Sequence, residues 1–254
     1  MNSIQQQLNC LEALGVRYAF HFQPSSGAAF TRGSREPFPS ASLIKVPILL
    51  AWLHLEAAGQ VERSELCDLD AEAQVQGAGL SWLLATRQLP FQDVLMLMIT
   101  LSDNLCTNLV IRKIGLERLQ DLFSHVLALP HCRLERKLFD YAARARGLDN
   151  WISADDCLQL YALIAALPEA QRAWVESLLE NSQDDALLKR AIPRDTLCFF
   201  HKTGSISGIL HDWGYTRAGQ VFLLTDQVRD EPAVFEIFGE LGKLTLMEAG
   251  WNEG

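Results

Sequence analysis

Residues 39–50 read Pro39-Ser40-Ala41-Ser42-Leu43-Ile44-Lys45-Val46-Pro47-Ile48-Leu49-Leu50. A turn of small residues leads here into a long apolar segment, which predicts a helix that begins at Ser42 and ends near Gly59. Ser42 and Lys45 then lie on one face, a helical turn apart. The first-turn N–H groups and the helix dipole favour negative charge at this point. A serine is a weak nucleophile without a base beside it, and a lysine amine that its surroundings keep neutral can serve as that base. The alternative is an N-cap serine followed by a surface lysine.

Composition excludes several classes of function. The 254 residues are 49% hydrophobic, which is enough for one large domain or for two subdomains that share a cleft. A net charge of −9 without a basic block argues against a nucleic-acid partner. No apolar run is long enough to cross a membrane, so we expect no membrane partner. The oligomeric state stays open.

The N-terminal residues 1–10 lack the basic and apolar regions of a signal peptide. We therefore expect a cytoplasmic protein, or a periplasmic one if an export signal has been removed. The six cysteines are widely spaced and form no C-x-x-C pair, and the histidines form no cluster with metal-ligand spacing. This pattern predicts six free thiols, no metal and no cofactor.

Hydrophobic periodicity divides the chain into three parts. A helix over residues 4–14 and a strand over 16–22, with an antiparallel return at 28–31, come first. Residues 60–190 are helical almost throughout. Three short strands (196–201, 213–217 and 220–225) and a helix over 234–247 follow. This order predicts an α+β fold, in which both chain ends build one antiparallel sheet flanked by helices and an all-helical domain is inserted. The predicted domains are 1–40 with 191–254, and 41–190, with the site in the cleft between them.

Ser102-Asp103-Asn104 lies between two predicted helices. In an extended backbone, residues two apart face the same way, so Ser102 and Asn104 would point at the cleft while Asp103 points inward and holds the turn. A hydroxyl beside a carboxamide suits proton relay and amide binding. The alternative is an ordinary turn with an N-cap aspartate.

Lys202-Thr203-Gly204 ends the first predicted C-terminal strand. A lysine and a threonine at this place could receive a substrate carboxylate, and Gly204 would let the backbone approach a ligand closely. An exposed strand edge could also pair with a substrate amide. The alternative is a strand that ends in an ordinary glycine turn.

The three motifs S-x-x-K, S-D-N and K-T-G occur in the order that is typical of class A β-lactamases and penicillin-binding proteins. The sequence resembles the class A β-lactamases, and more broadly the penicillin-recognising serine hydrolases, over essentially its whole length. The stretches around these motifs, residues 38–47 and 97–109, also look like the family's segments. The resemblance implies a five-stranded antiparallel sheet with flanking helices, plus an all-helical domain.

The resemblance also implies a role for each motif residue. Ser42 would be the acylated nucleophile, Lys45 its proton partner, and Ser102 the relay to the leaving nitrogen. Asn104 would bind the substrate amide, while Lys202 and Thr203 would bind its carboxylate. The N–H groups of Ser42 and of Ser205, next to Gly204, would form the oxyanion hole.

One loop departs from the family pattern. Class A enzymes carry a glutamate there that activates the deacylating water, but Leu138 falls at its place in this sequence. Asp140 is the nearest carboxylate, so it is a candidate base; a salt bridge with an arginine such as Arg136 is the alternative. The sequence thus favours a β-lactamase-like serine hydrolase acting on a cyclic amide with a carboxylate. A peptidase, amidase or esterase on a small acyl substrate, or a slow covalent penicillin-binding sensor, remains the alternative.

Overall fold

The computed structural model describes residues 2–193 and 196–248; the predicted domain ranges also include residues 1, 194–195 and 249–254, which lie outside this description. The helices are α1 (Asn2–Ala13), α2 (Lys45–Ala57), α3 (Phe91–Thr100), α4 (Asn104–Ile114), α5 (Leu116–His125), α6 (Tyr141–Ala145), α7 (Ala154–Ala165), α8 (Glu169–Glu180) and α9 (Glu231–Glu248). The strands are β1 (Arg17–Pro24), β2 (Phe30–Gly33), β3 (Phe38–Pro39), β4 (Leu66–Asp68), β5 (Gln88–Pro90), β6 (Trp151–Ile152), β7 (Phe200–Ile206), β8 (Ile209–Thr216) and β9 (Gly219–Asp226).

The main sheet has five antiparallel strands in the order β2-β1-β9-β8-β7. Both ends of the chain build it, since β1 pairs with β9 along its whole length. The predicted fold, a five-stranded antiparallel sheet flanked by N- and C-terminal helices with a helical region inserted, is confirmed. Where the boundary between the two domains lies stays a prediction.

Two apolar clusters cover the two faces of the sheet. One is formed with the terminal helices and includes Ile4, Leu8, Phe20 and Phe238. The larger cluster lies under the inserted helices and surrounds α2, of whose 13 residues ten are buried. A helix that is apolar on all sides is stable only inside a core. The start of α2 is therefore held firmly in the middle of the molecule. Within the part that the structure describes, no helix is long and apolar enough to cross a membrane.

Three local predictions need correction. The helix predicted from Ser42 begins as a 3-10 turn over Ala41–Ile44 and becomes α-helical only at Lys45. The stretch 60–190 contains short strand pairs, β4 with β5 and β6 with β3. The first C-terminal strand runs over Phe200–Ile206 rather than 196–201, so the K-T-G motif lies inside the strand and not at its end. Pairing of this segment with β8 and its burial override the weak strand preference of lysine, glycine and serine.

Candidate active site

Lys45 lies at the first position of α2 and its side chain is fully buried. Its Nζ lies 3.0 Å from Ser42 Oγ, 2.9 Å from Ser102 Oγ, 2.6 Å from the Ser102 carbonyl oxygen and 3.0 Å from Asn104 Oδ1. The structure thus brings the serine and lysine of the first motif together with the serine and asparagine of the second. The spacing of Ser42 and Lys45 by three residues allows this because the 3-10 turn and the first α-turn place both side chains on one side.

The protonation of Lys45 follows from its surroundings. Burial lowers its pKa well below the usual value, the positive charge of Lys202 lowers it further, and the Asp103 carboxylate acts in the opposite direction. The Ser102 carbonyl and Asn104 Oδ1 can only accept hydrogen bonds, whereas the two hydroxyls can donate or accept. A neutral amine has two hydrogens for the two obligate acceptors and a lone pair for a hydroxyl proton. The geometry therefore suits an amine that takes a proton from Ser42.

Asp103 holds the second motif in place. Its buried carboxylate accepts hydrogen bonds from the N–H groups of Leu80, Ser81 and Cys106 at 2.8–2.9 Å and from Ser81 Oγ at 2.7 Å. The inward direction predicted for Asp103 is therefore observed. The extended backbone predicted for the motif is wrong at Ser102, whose φ of 54° lies in the left-handed region. Asp103 itself is extended and caps α4, so the bend lies just before the cap.

Strand β7 passes directly beside the 3-10 turn. A Cβ added to Gly204 would lie 3.1 Å from the backbone nitrogens of Ser42 and Leu43 and 3.2 Å from Ala41 Cβ, which is tighter than most contacts of this kind. Only glycine leaves room for the strand at this distance. Ser42 and Ser205 consequently border one cavity of about 460 Å³, together with Asn104, Leu138 and Phe139. A volume of this size fits a small ligand.

A family model described as the β-lactamase enzyme family matches residues 4–248. The chain belongs to that family. It is accordingly of the β-lactamase and penicillin-binding kind, a family of hydrolases. No curated protein sequence matches the chain.

Solved structures share the fold of this β-lactamase family member. A β-lactamase from Sphaerobacter thermophilus DSM 20745 is 24% identical, with a TM-score of 0.87 over 99% of this chain and 98% of that chain. PBP-A is also 24% identical, with a TM-score of 0.83 over 98% of this chain and 96% of the other. An ancestral class A β-lactamase is 19% identical, with a TM-score of 0.83 over 97% of this chain and 99% of that chain. At these identities the likeness extends to the fold alone.

The loop where the resemblance places Leu138 is held by side chains of the inserted region. Asn108 on α4 accepts the Leu138 N–H at 2.8 Å and donates to the Leu138 carbonyl at 3.0 Å. Arg136 bonds Asp149, with Nη2 2.6 Å from Oδ1. The salt bridge considered for Asp140 is therefore not made with Arg136. These contacts fix the backbone of the loop beside the cavity.

Asp140 has a local structural contact. Its carboxylate caps the five-residue helix α6 by accepting the N–H of Ala143 at 2.8 Å. Leu138, Phe139 and Tyr141 line the cavity around it. The wall of the site at this loop thus combines these apolar and aromatic side chains with the polar ones of Arg136, Arg144, Asp149 and Asn150. The role of Asp140 as a base stays a prediction.

The third motif has buried polar groups with internal partners. Lys202 is 1% exposed and its Nζ donates to the Thr203 carbonyl at 2.9 Å. Burial lowers the pKa of Lys202 to about 8, against the opposing effect of Asp184 and Asp212. Thr203 is 2% exposed, and its hydroxyl donates to Asp184 Oδ2 at 2.7 Å. The sequence analysis missed Asp184, because it lies 19 residues before Thr203 in no recognisable motif.

Proposed function

We propose that this protein is a serine hydrolase of the β-lactamase type, in which Ser42 attacks a cyclic amide. The observation that carries the proposal is the distance of 3.0 Å between Ser42 Oγ and Lys45 Nζ. Lys45 is buried, and burial together with the charge of Lys202 lowers its pKa well below the usual value. In the first step Lys45 takes the hydroxyl proton while the oxygen bonds the carbonyl carbon. The N–H groups of Ser42 and Ser205 would stabilise the oxyanion.

Collapse of this tetrahedral intermediate breaks the C–N bond and leaves the acyl group on Ser42. The leaving nitrogen needs a proton, and Ser102 can pass one from Lys45, since its hydroxyl lies 2.9 Å from the amine. Asn104 would hold the substrate amide, because its Oδ1 faces the site and its Nδ2 is anchored to the Gln76 carbonyl at 3.2 Å. Lys202, Thr203 and Gly204 would line the far side of the substrate.

We propose further that the acyl group is released slowly. Hydrolysis of the acyl-serine needs a base within about 2.6–3.2 Å of the attacking water or one bridging water away. Leu138 cannot act as one, and the Asp140 carboxylate already caps α6. The Asp149 carboxylate also borders the cavity, but it is paired with Arg136 and Arg144. The lack of a free base among the described residues of this loop supports acylation of Ser42 followed by accumulation of the acyl-enzyme. An esterase, amidase or peptidase acting on a less stable acyl group is the second candidate, favoured by Leu138 at the place where the resemblance puts a glutamate.

Intact-protein mass spectrometry tests both parts. The protein is mixed with a penicillin, a cephalosporin and a simple ester, and the adduct mass is followed over time. We expect a persistent β-lactam adduct in the unmodified protein and none in Ser42→Ala, because loss of the nucleophile typically costs several orders of magnitude in rate.

Ser207→Ala is the matched control, since Ser207 lines the same cavity from the turn after β7. This variant should be labelled like the unmodified protein. Labelling of Ser42→Ala would contradict the assignment of the nucleophile. Labelling by the ester alone would favour the second candidate. Rapid turnover of penicillins without an adduct would contradict slow release.

A further inference from the structure

The hydroxyl of Thr203 has a single hydrogen, and the structure shows where it is directed. Asp184 Oδ2 lies 2.7 Å from Thr203 Oγ1, and a carboxylate has no hydrogen to donate in return. Thr203 is therefore the donor of this bond. Toward any other group it presents only lone pairs. A carboxylate, which also has only lone pairs, cannot be bound by such a hydroxyl.

Asp184 also acts on Lys202. Burial lowers the pKa of Lys202, and the negative charge of Asp184 opposes this effect. The carboxylate of Asp184 thus combines a hydrogen bond from Thr203 with attraction to Lys202. These are the two interactions that the third motif would offer to the carboxylate of a substrate.

Among the residues that the structure describes, the neighbouring basic side chains already have acidic partners. Asp185 is paired with Lys189 at 3.1 Å and faces His201 Nε2 at 3.6 Å. His201 Nδ1 lies 3.0 Å from the buried carboxylate of Asp212. Lys189 and His201 therefore each lie against an acidic partner. A second carboxylate next to Asp184 would meet a like charge with Lys202 as the shared counter-ion, and like charges at this range repel.

We propose that Asp184 occupies the place in the third motif where a substrate carboxylate is expected, so that the site selects acyl substrates that are uncharged there. The substrate class is then an amide, lactam or ester without a free carboxylate beside the reacting bond. This inference rests on the proposed acylation of Ser42. It restricts the substrates of that reaction and gives Asp184 a role in specificity.

The test compares benzylpenicillin with its methyl ester, which differ in this carboxylate. Mass spectrometry measures the efficiency with which each compound acylates Ser42. The efficiency for the free acid is then divided by the efficiency for the ester. We expect Ser42 of the unmodified protein to be acylated by the ester at least as efficiently as by the acid. In Asp184→Asn the ratio should rise about tenfold or more, because a like charge a few Å from the bound carboxylate is removed.

Asp185→Asn is the matched control, since it removes the same charge from the adjacent residue, which does not bond Thr203. Its ratio should change less than about threefold, given the greater distance and solvent screening. A rise below about threefold in Asp184→Asn, or equal rises in both variants, would overturn the proposal. A strong preference of the unmodified protein for the free acid would do the same, and this measurement needs no variant to fold.

The measurement distinguishes a failure of Ser42 acylation from a failure of the role given to Asp184. If neither compound labels Ser42 in the unmodified protein, the acylation itself is wrong and the inference falls with it. If both compounds label Ser42 and only the ratio disagrees, the acylation stands and the role of Asp184 is wrong.

Discussion

Lys45 and Lys202 are two buried amines in one site, and the charge of Lys202 makes it harder for Lys45 to be charged. The Lys202 charge is the second cause, after burial, of the low pKa of Lys45. Lys202→Ala should therefore raise the pKa of Lys45. Because acylation requires the neutral amine, the rising limb of the pH–rate profile should move to higher pH.

The substrate for this measurement is a carboxylate-free ester, so that binding of an anion does not interfere. Since the pKa of Lys202 is about 8, the two proteins should differ most below pH 8, where Lys202 in the unmodified protein is charged. Lys189→Ala removes a charge that is already paired with Asp185 and serves as the control. A profile of Lys202→Ala that coincides with that of the control would contradict the coupling.

Leu138 lies in the cavity wall at the position where the family resemblance places a glutamate. Leu138→Glu should speed release of a penicilloyl group by roughly 10²–10⁴-fold, which is the usual contribution of a well-placed general base. The decay of the acyl-enzyme mass after removal of free penicillin measures this rate.

Asp140→Asn is the companion variant. Asparagine caps helices as well as aspartate does, so stability should stay within a few tenths of a kcal/mol. If deacylation in Asp140→Asn slows while the thermal midpoint is unchanged, Asp140 is a base after all. An unchanged release rate in Leu138→Glu would show that the loop position is not aimed at the acyl carbonyl.

At the level of elements, the close approach of β7 to the 3-10 turn before α2 sets the shape of the site. Gly204→Ala places a methyl group 3.1 Å from two backbone nitrogens of that turn, and neither backbone can yield easily. We expect acylation to fall by about 10–100-fold, because a displacement of the turn moves the oxyanion donor of Ser42. Stopped-flow labelling measures the effect.

Gly59→Ala is the control for this variant. Gly59 has a φ of +68° and nothing within 4 Å of an added Cβ, so the substitution strains the backbone without touching the site. It should cost about 1–2 kcal/mol of stability and leave the acylation rate unchanged. Equal losses of acylation in both glycine variants would point to general destabilisation instead.

Some elements could be predicted from the sequence and others could not, for identifiable reasons. The helical character of residues 60–190 could be predicted because their apolar positions repeat with helical spacing. Within this stretch α4 and α7 also have side-chain caps, from Asp103 and from the capping box of Ser153 and Asp156. The first C-terminal strand was predicted too early because apolar residues such as Leu197 and Phe199 come before the segment that pairs with β8.

The candidate site likewise contains some features that could be predicted from the sequence and others that could not. The joining of Ser42 and Lys45 follows from local spacing, and Asp103 turns inward as expected for a helix cap. The left-handed Ser102 and the bond from Thr203 to Asp184 depend on packing between distant segments. No spacing rule covers such contacts, so they become visible only in the folded chain.

At the scale of the whole molecule, the cysteines are distributed between core and surface without pairing. All six are free; four are buried and Cys10 and Cys198 are exposed. Thiol titration with a disulfide reagent at pH 8 should give a fast reaction at Cys10 and a slow one at Cys198. The Cys198 thiol donates to Glu180, and burial together with this contact raises its pKa to about 11.

Burial also raises the pKa of the other four thiols, which belong to Cys67, Cys106, Cys132 and Cys157. They should react only after the protein unfolds, because the thiolate is the reactive form. Addition of denaturant should bring the total to six. A total below six without reductant would reveal a bond or modification, and early reaction of more than two would reveal a loosely packed core.

The two hydrogen bonds between the Asn108 side chain and the backbone of Leu138 have a consequence for how this protein can evolve. Residue 138 takes its position from α4 rather than from its own loop, since one side chain on that helix holds both of its peptide groups. Neighbours such as Phe139 and Tyr141 can therefore change without moving it. Substitutions at the flanking residues can then change which acyl groups the site accepts. A substitution at residue 138 can separately change how fast the acyl group is hydrolysed.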